Sequence, residues 1–377
     1  MFKSLIYGWA ALCVLLLAPW ATWCATADDD IPVAPISAVE FRGWTNAYRL
    51  RNEVAEMVIV PEIGRLVHWG YVGETNLFRL DSALSKDAAD VDEPGIWNNF
   101  GGDWIWPVAQ SHWPLFQDGD WPPSRLLDGR PWTGRAWRSA DGSQYALMTQ
   151  TYGEPLHIKV TRTIRLDRTN AMASIRQRIE RTGPSDIPVT LWNISQIRDA
   201  EWVVIPVDED SAFFGGFKSM KFEEPGPEHI QWCGDTIVYD AQLGGEHKIC
   251  SDSERHWIAA MRGGTVLFER VKERNAVGAG YPDGGCRIEM YAHRGLGYAE
   301  IETLSEERVL EPGETLENAL VMRLFRVSPD LDSCALSDAI QIRIGEMEKP
   351  KPEPEEEEEE EEEDREDGVA QLRQERR

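Results

Sequence analysis

Glu300 and Glu302 stand two apart in Tyr298-Ala299-Glu300-Ile301-Glu302-Thr303-Leu304. In an extended strand, residues two apart share a face, so Tyr298, Glu300, Glu302 and Leu304 line one side together. Two carboxylates ~7 Å apart raise each other's proton affinity, which suits general acid–base work. A plain solvated polar face would carry the same pattern.

The second chemically suggestive stretch is aromatic. Seven of the 16 tryptophans fall between Trp97 and Trp137, among Asn98, Asn99, Asp103, Gln110 and His112. Prolines follow or precede many of these indoles, which predicts extended or turning backbone rather than helix. Flat apolar rings beside hydrogen-bonding groups match the CH faces and hydroxyl edges of a sugar. Indoles that plug one end of a β-sandwich would look similar. If Asp103-Trp104-Ile105-Trp106 is extended, both indoles share a face, and Gly101-Gly102 lets the backbone approach a neighbour or ligand.

The strands that must position these groups are legible. Leu156 to Leu166 alternates, with Leu156, Ile158, Val160, Ile164 and Leu166 on one face and Arg162 as an intruder among them. Ala173 to Glu180, Val189 to Ile197, Cys286 to Tyr291, Tyr298 to Leu304 and Leu316 to Val327 read as further strands. Trp257 to Glu269 reads as a hairpin closed on Gly263-Gly264. Val54 to Val67 reads as two strands broken near Pro61 and Gly64. The predicted fold is all-β, a large antiparallel sandwich in one domain, with a single helix over Leu331 to Glu346.

The two ends are of another kind. Residues 1–27 carry one charge, Lys3, a long apolar run and Ala25-Thr26-Ala27, the pattern of a cleaved secretory signal peptide. Trp23 stands where a lipoprotein signal needs a small residue before Cys24, so no membrane anchor is expected after cleavage. Residues 349–377 contain nine consecutive glutamates, Glu355 to Glu363, and read as a disordered acidic tail. The folded domain is expected over 28–348, in a periplasmic or secreted protein. The net charge of −26 argues against nucleic acid as a partner. Cys233, Cys250, Cys286 and Cys334 permit three pairings and zero to two disulfides, and none has metal-like spacing, so no metal is expected. No glycine-rich phosphate loop opens a helix, so no cofactor is expected either.

Five segments in order carry a resemblance: Val58 to Leu66, Gly101 to Pro107, Leu191 to Gln196, Tyr281 to Gly285 and Tyr298 to Ser305. Together they resemble an exported bacterial family of unknown function within the galactose-mutarotase-like (aldose 1-epimerase-like) superfamily. That resemblance implies a β-supersandwich that binds carbohydrate. Its epimerases use a carboxylate base in a Leu-Glu-Thr strand, which matches Ile301-Glu302-Thr303 and makes Glu302 the implied base, with Glu300 beside it. Their histidine acid lies in an Asn-His-Ser/Thr segment, where this chain has Asn193-Ile194-Ser195. Isoleucine donates no proton, so His112, His293 or Asp103 would have to substitute. Arg65 and Gln196 join Asn99, Asp103, Trp104, Trp106, Gln110 and Trp113 as expected ligand-binding residues. The readings that follow are a mono- or oligosaccharide-binding protein, an acid–base carbohydrate-active enzyme, and a non-catalytic envelope scaffold.

Overall fold

The computed structural model describes residues 32–81, 85–86, 97–274 and 280–348. The expected leader and the glutamate-rich tail lie outside the described residues. Among those residues the strands form two sheets, of 11 and 10 strands, with antiparallel pairing throughout. The ten-stranded sheet carries most of the groups singled out above. Its order runs from Lys218–Ser219 through Glu246–Ser251, Ile288–His293, Tyr298–Leu304, Trp192–Arg198 and Asp103–Trp106 to Arg65–Tyr71, Ala55–Val60, Trp44–Arg51 and Val39–Phe41.

Alternation explains the packing of the eleven-stranded sheet. In Ile158–Leu166 the residues Ile158, Val160, Ile164 and Leu166 are buried, and Lys159, Thr161, Thr163 and Arg165 point the other way. Ile164 and Val160 lie opposite Ile175 and Ile179 of Met172–Arg181, and the next strand, Thr315–Arg326, adds Leu316, Leu320 and Met322. Each such aliphatic side chain contributes roughly 1.5–3 kcal/mol by leaving water. Together they fill the space between the sheets. Arg162 lies in this apolar row and is fully buried.

The helix spans Ser333–Glu348, shifted two residues along the chain from the sequence expectation. Leu336 and Ile340 bury against Cys233, Val238 and Trp257. The disulfide Cys233–Cys334 ties its first turn to the strand Ile230–Cys233. A second disulfide, Cys250–Cys286, joins Glu246–Ser251 to the turn ahead of Ile288–His293. In the tryptophan stretch one expectation needs correction: Gln110–Leu115 is a short 3-10 helix. Pro114 sits inside it, which so short a helix tolerates because few backbone N–H groups there need partners.

Candidate functional site

The two faces of the ten-stranded sheet are chemically distinct. Arg162 reaches across from the other sheet to Asp103 Oδ1 at 2.6 Å and Asn193 Oδ1 at 2.9 Å, so Asp103, Asn193 and Ser195 face inward. Asn193 Nδ2 and Ser195 Oγ both donate to Asp103 Oδ2, at 2.8 and 3.1 Å. Strand alternation then turns Trp104, Trp106, Trp192, Ile194, Gln196, Glu300 and Glu302 to the opposite, outer face.

Register brings the outer-face groups together. Glu302 lies between Ile194 and Glu289, and Glu300 between Gln196 and Tyr291, with Lys248 next beyond Tyr291. Glu302 is fully buried and accepts Trp192 Nε1 at 2.6 Å. Lys248 Nζ donates to both its oxygens, at 3.0 and 3.2 Å, and to Glu289 at 2.7 Å. Burial alone would lower the Lys248 pKa, but the charges of Glu289 and Glu302 raise it, so the ammonium is held. Burial pushes Glu289 well above the usual carboxylate range. Glu302 is thus locked in a sealed, cation-bound cluster.

Glu300 differs. It is half-buried, and Gln196 Nε2 donates to it at 2.6 Å. Burial, and then the charge of Glu302, push its pKa up to about 7; Gln196, Lys248 and Arg79 pull the other way. Gln196 is itself oriented by Arg79 Nη1, at 3.2 Å, and the same nitrogen donates to the Asn99 carbonyl at 2.8 Å. The Arg79 guanidinium lies 5.1 Å from the Tyr298 ring centroid. A carboxyl poised to exchange a proton near neutrality therefore stands beside a fixed amide and a cation.

The indoles of this face divide into covered and open rings. Trp104, Trp106, Trp113 and Trp192 are buried. Trp106 is central, with centroids of Trp192 at 5.0 Å, Trp113 at 5.1 Å and Trp97 at 5.8 Å. The Arg65 guanidinium covers Trp104 at 4.1 Å. Asp128 Oδ2 gathers Arg65 at 2.6 Å, Trp97 Nε1 at 3.0 Å and Trp106 Nε1 at 3.2 Å. Trp97 is half-buried, and Trp121, 5.2 Å from it, is 51 % exposed. The rings that present surface to solvent are therefore Trp97 and Trp121, while Trp104 and Trp106 share a face as expected and are packed over.

Several expected site residues are placed elsewhere. Asp103 cannot point at a ligand, because its carboxylate is enclosed by Arg162, Asn193 and Ser195 between the sheets. Arg65 is buried and consumed by Asp128 and Trp104. Gly101 and Gly102 have φ of 79° and 81°, and a Cβ on them would lie 2.1 Å from the Arg79 carbonyl oxygen and 2.4 Å from that of Leu66. Their close approach is to neighbouring backbone. Gln110 donates to the Asp120 carbonyl at 2.8 Å, and Trp113 Nε1 to that of Val108 at 3.0 Å. His112 pairs with Glu307 at 2.9 Å, and its neighbour Trp113 lies 6.4 Å from Trp192, whose indole donates to Glu302. His293 ends its strand opposite Tyr298 and Glu246, two residue pairs beyond Glu300 along the ladder. Directly across from Glu302 is Ile194, so no imidazole occupies that position. Lys248, Arg79, Tyr291 and Asp128 join the site only in the structure. Lys248 alternates with buried His247 and Ile249, a lone cation in a strand, which is the one signal it offered.

No protein-family model matches the chain, and no curated protein matches it. Solved structures do. A putative aldose 1-epimerase from Escherichia coli K12 superposes with a TM-score of 0.50 at 10% identity, over 74% of this chain and 99% of that one. A putative mutarotase from Salmonella typhimurium gives 0.49 at 12% identity, over 78% and 97%. A TPR-domain containing protein from Parabacteroides distasonis gives 0.49 at 13% identity, over 76% of this chain, which spans only 48% of its length. The fold is that of the galactose-mutarotase-like β-sandwiches.

Proposed function

We propose that this protein binds a carbohydrate on the outer face of the ten-stranded sheet, beside Glu300. The observation that carries the reading is the contrast along one strand: Glu302 is sealed, whereas Glu300 stays half-open, hydrogen-bonded by Gln196 and charged or neutral near pH 7. A carboxyl in that state either donates to or accepts from a sugar hydroxyl. Trp97 and Trp121 retain open ring surface, and Asn99 lies two residues beyond Trp97. The likeness in fold to a putative aldose 1-epimerase supports a sugar-related role.

Isothermal titration calorimetry over a panel of mono- and oligosaccharides tests the reading. At least one sugar is expected to bind with its affinity reduced tenfold or more by Trp121→Ala and by Glu300→Gln. Binding that neither change weakens, in folded variants, places the site elsewhere.

A second reading, acid–base turnover of a sugar, is favoured by the raised proton affinity of Glu300. On that reading Glu300 exchanges the proton, and Glu302, pinned by Lys248 and Trp192, supplies a fixed negative charge. This reverses the roles implied by the epimerase resemblance. Polarimetry then shows mutarotation or epimerisation abolished by Glu300→Gln; loss with Glu302→Gln alone would restore the original assignment.

A further inference from the structure

We infer that a second site, on the loop between the strands Trp202–Pro206 and Lys218–Ser219, takes an organic ammonium group. A cavity of about 1030 Å3 opens there, lined by Asp208, Glu209, Asp210, Phe214, Trp232 and Asp235 among others. Its aromatic rings are unusually bare. Phe214 is fully exposed at the tip of the loop, and Trp232 is 46 % exposed. Phe217 packs beside Trp232 at 5.9 Å.

The uncompensated charges of this cavity are acidic. Its single lining cation, Arg255, is spent on the wall: Nε donates to Asp208 at 3.1 Å, Nη1 to Asp235 at 2.5 Å, and Nη2 to the Val207 carbonyl at 2.8 Å. Glu209 and Asp210 are exposed, and among the described residues neither forms an ion pair. Aromatic faces beside unneutralised carboxylates select cations, because the ring quadrupole and the carboxylate field add, and a cleft lined by one sign concentrates the counter-charge. An anion is repelled, and a neutral ligand gains nothing from the rim.

The loop is also held in shape before anything binds. Ser211 Oγ and the Ala212 N–H both donate to Asp252, at 2.5 and 2.8 Å. Ser253 Oγ and the Glu254 N–H donate to Asp208, at 2.9 and 2.7 Å. Such preorganisation reduces the ordering cost of binding. The same loop already illustrates the chemistry: Lys218 Nζ stands 5.8 Å from the Phe213 ring centroid.

The test is calorimetry with choline against its uncharged isostere 3,3-dimethylbutan-1-ol, on the full chain. Choline is expected to bind one to one, with affinity falling as salt is raised, and the alcohol to bind at least tenfold more weakly. Trp232→Ala, and separately Glu209→Gln combined with Asp210→Asn, should each weaken choline tenfold or more. Phe214→Ala serves as a second aromatic variant, since this exposed ring supports no packing. Glu300→Gln should leave choline binding unchanged, which separates this site from the carbohydrate reading. No choline binding, equal binding of the alcohol, or affinity indifferent to the loop variants would each overturn the inference.

Discussion

Asp103 and Glu300 sit on strands of the same sheet, each beside basic and amide side chains, yet their settings teach opposite lessons. Asp103 has its oxygens filled by Arg162, Asn193 and Ser195 in a space closed to water. An ion pair enclosed in this way fixes how the two sheets sit against each other, and its charge is not available to a ligand. Glu300 has one strong donor, Gln196, and an opening to solvent, so its proton remains negotiable. What separates a structural carboxylate from a functional one here is the number of donors committed to it, and not its burial alone.

Breaking the inward pair should have the largest effect. Asp103→Ala removes the ion-pair partner of the buried Arg162 guanidinium, leaving it the Asn193 oxygen and the field of buried Glu269, and a loss of about 3–5 kcal/mol in unfolding free energy by urea titration is expected. A loss under 1 kcal/mol would show that solvent reaches this cluster. Trp106→Ala should cost about 3–5 kcal/mol as well, because the ring contacts Trp97, Trp104, Trp113 and Trp192 and would leave a cavity. Trp121→Ala, by contrast, should change stability by less than about 1 kcal/mol and act on sugar affinity instead.

Glu300 should leave a pH signature of its own. It holds its proton to higher pH in the folded protein than in the unfolded chain, whose reference value is 4.5. Its contribution to stability is therefore complete below about pH 4.5 and is lost as pH rises through about 7. Denaturation curves of wild type and Glu300→Gln should differ in slope against pH within that window. Parallel curves would mean that Glu300 ionises normally. The smallest effect is expected for His112→Ala, under about 1 kcal/mol, since the pair with Glu307 is partly solvated.

Much of this arrangement was legible in the chain itself. The strand Tyr298–Leu304 matches the sequence expectation to the residue, because alternation and length agree there. The pairing of Trp104 and Trp106 on one face follows from their spacing. Arg162 announced itself as a charge in an apolar row, but its partner lies 59 residues earlier, and no local pattern names a partner across two sheets. For the same reason the covering of Trp104 by Arg65 and the sealing of Glu302 by Lys248 were hidden. Both depend on strands meeting through register, and the strand Glu246–Ser251 gives only a weak alternation. Ile194 is readable in the sequence as standing where the resemblance implies a histidine, whereas its place opposite Glu302 comes from the register.

The most direct test of the account is a carbon-13 NMR titration of the Glu300 carboxyl, assigned with Glu300→Gln, without and with a saturating sugar from the binding panel. The account predicts a midpoint about 7 in the free protein and a clear displacement when the sugar is bound. A midpoint near 4.5, unmoved by a sugar that binds, would contradict it.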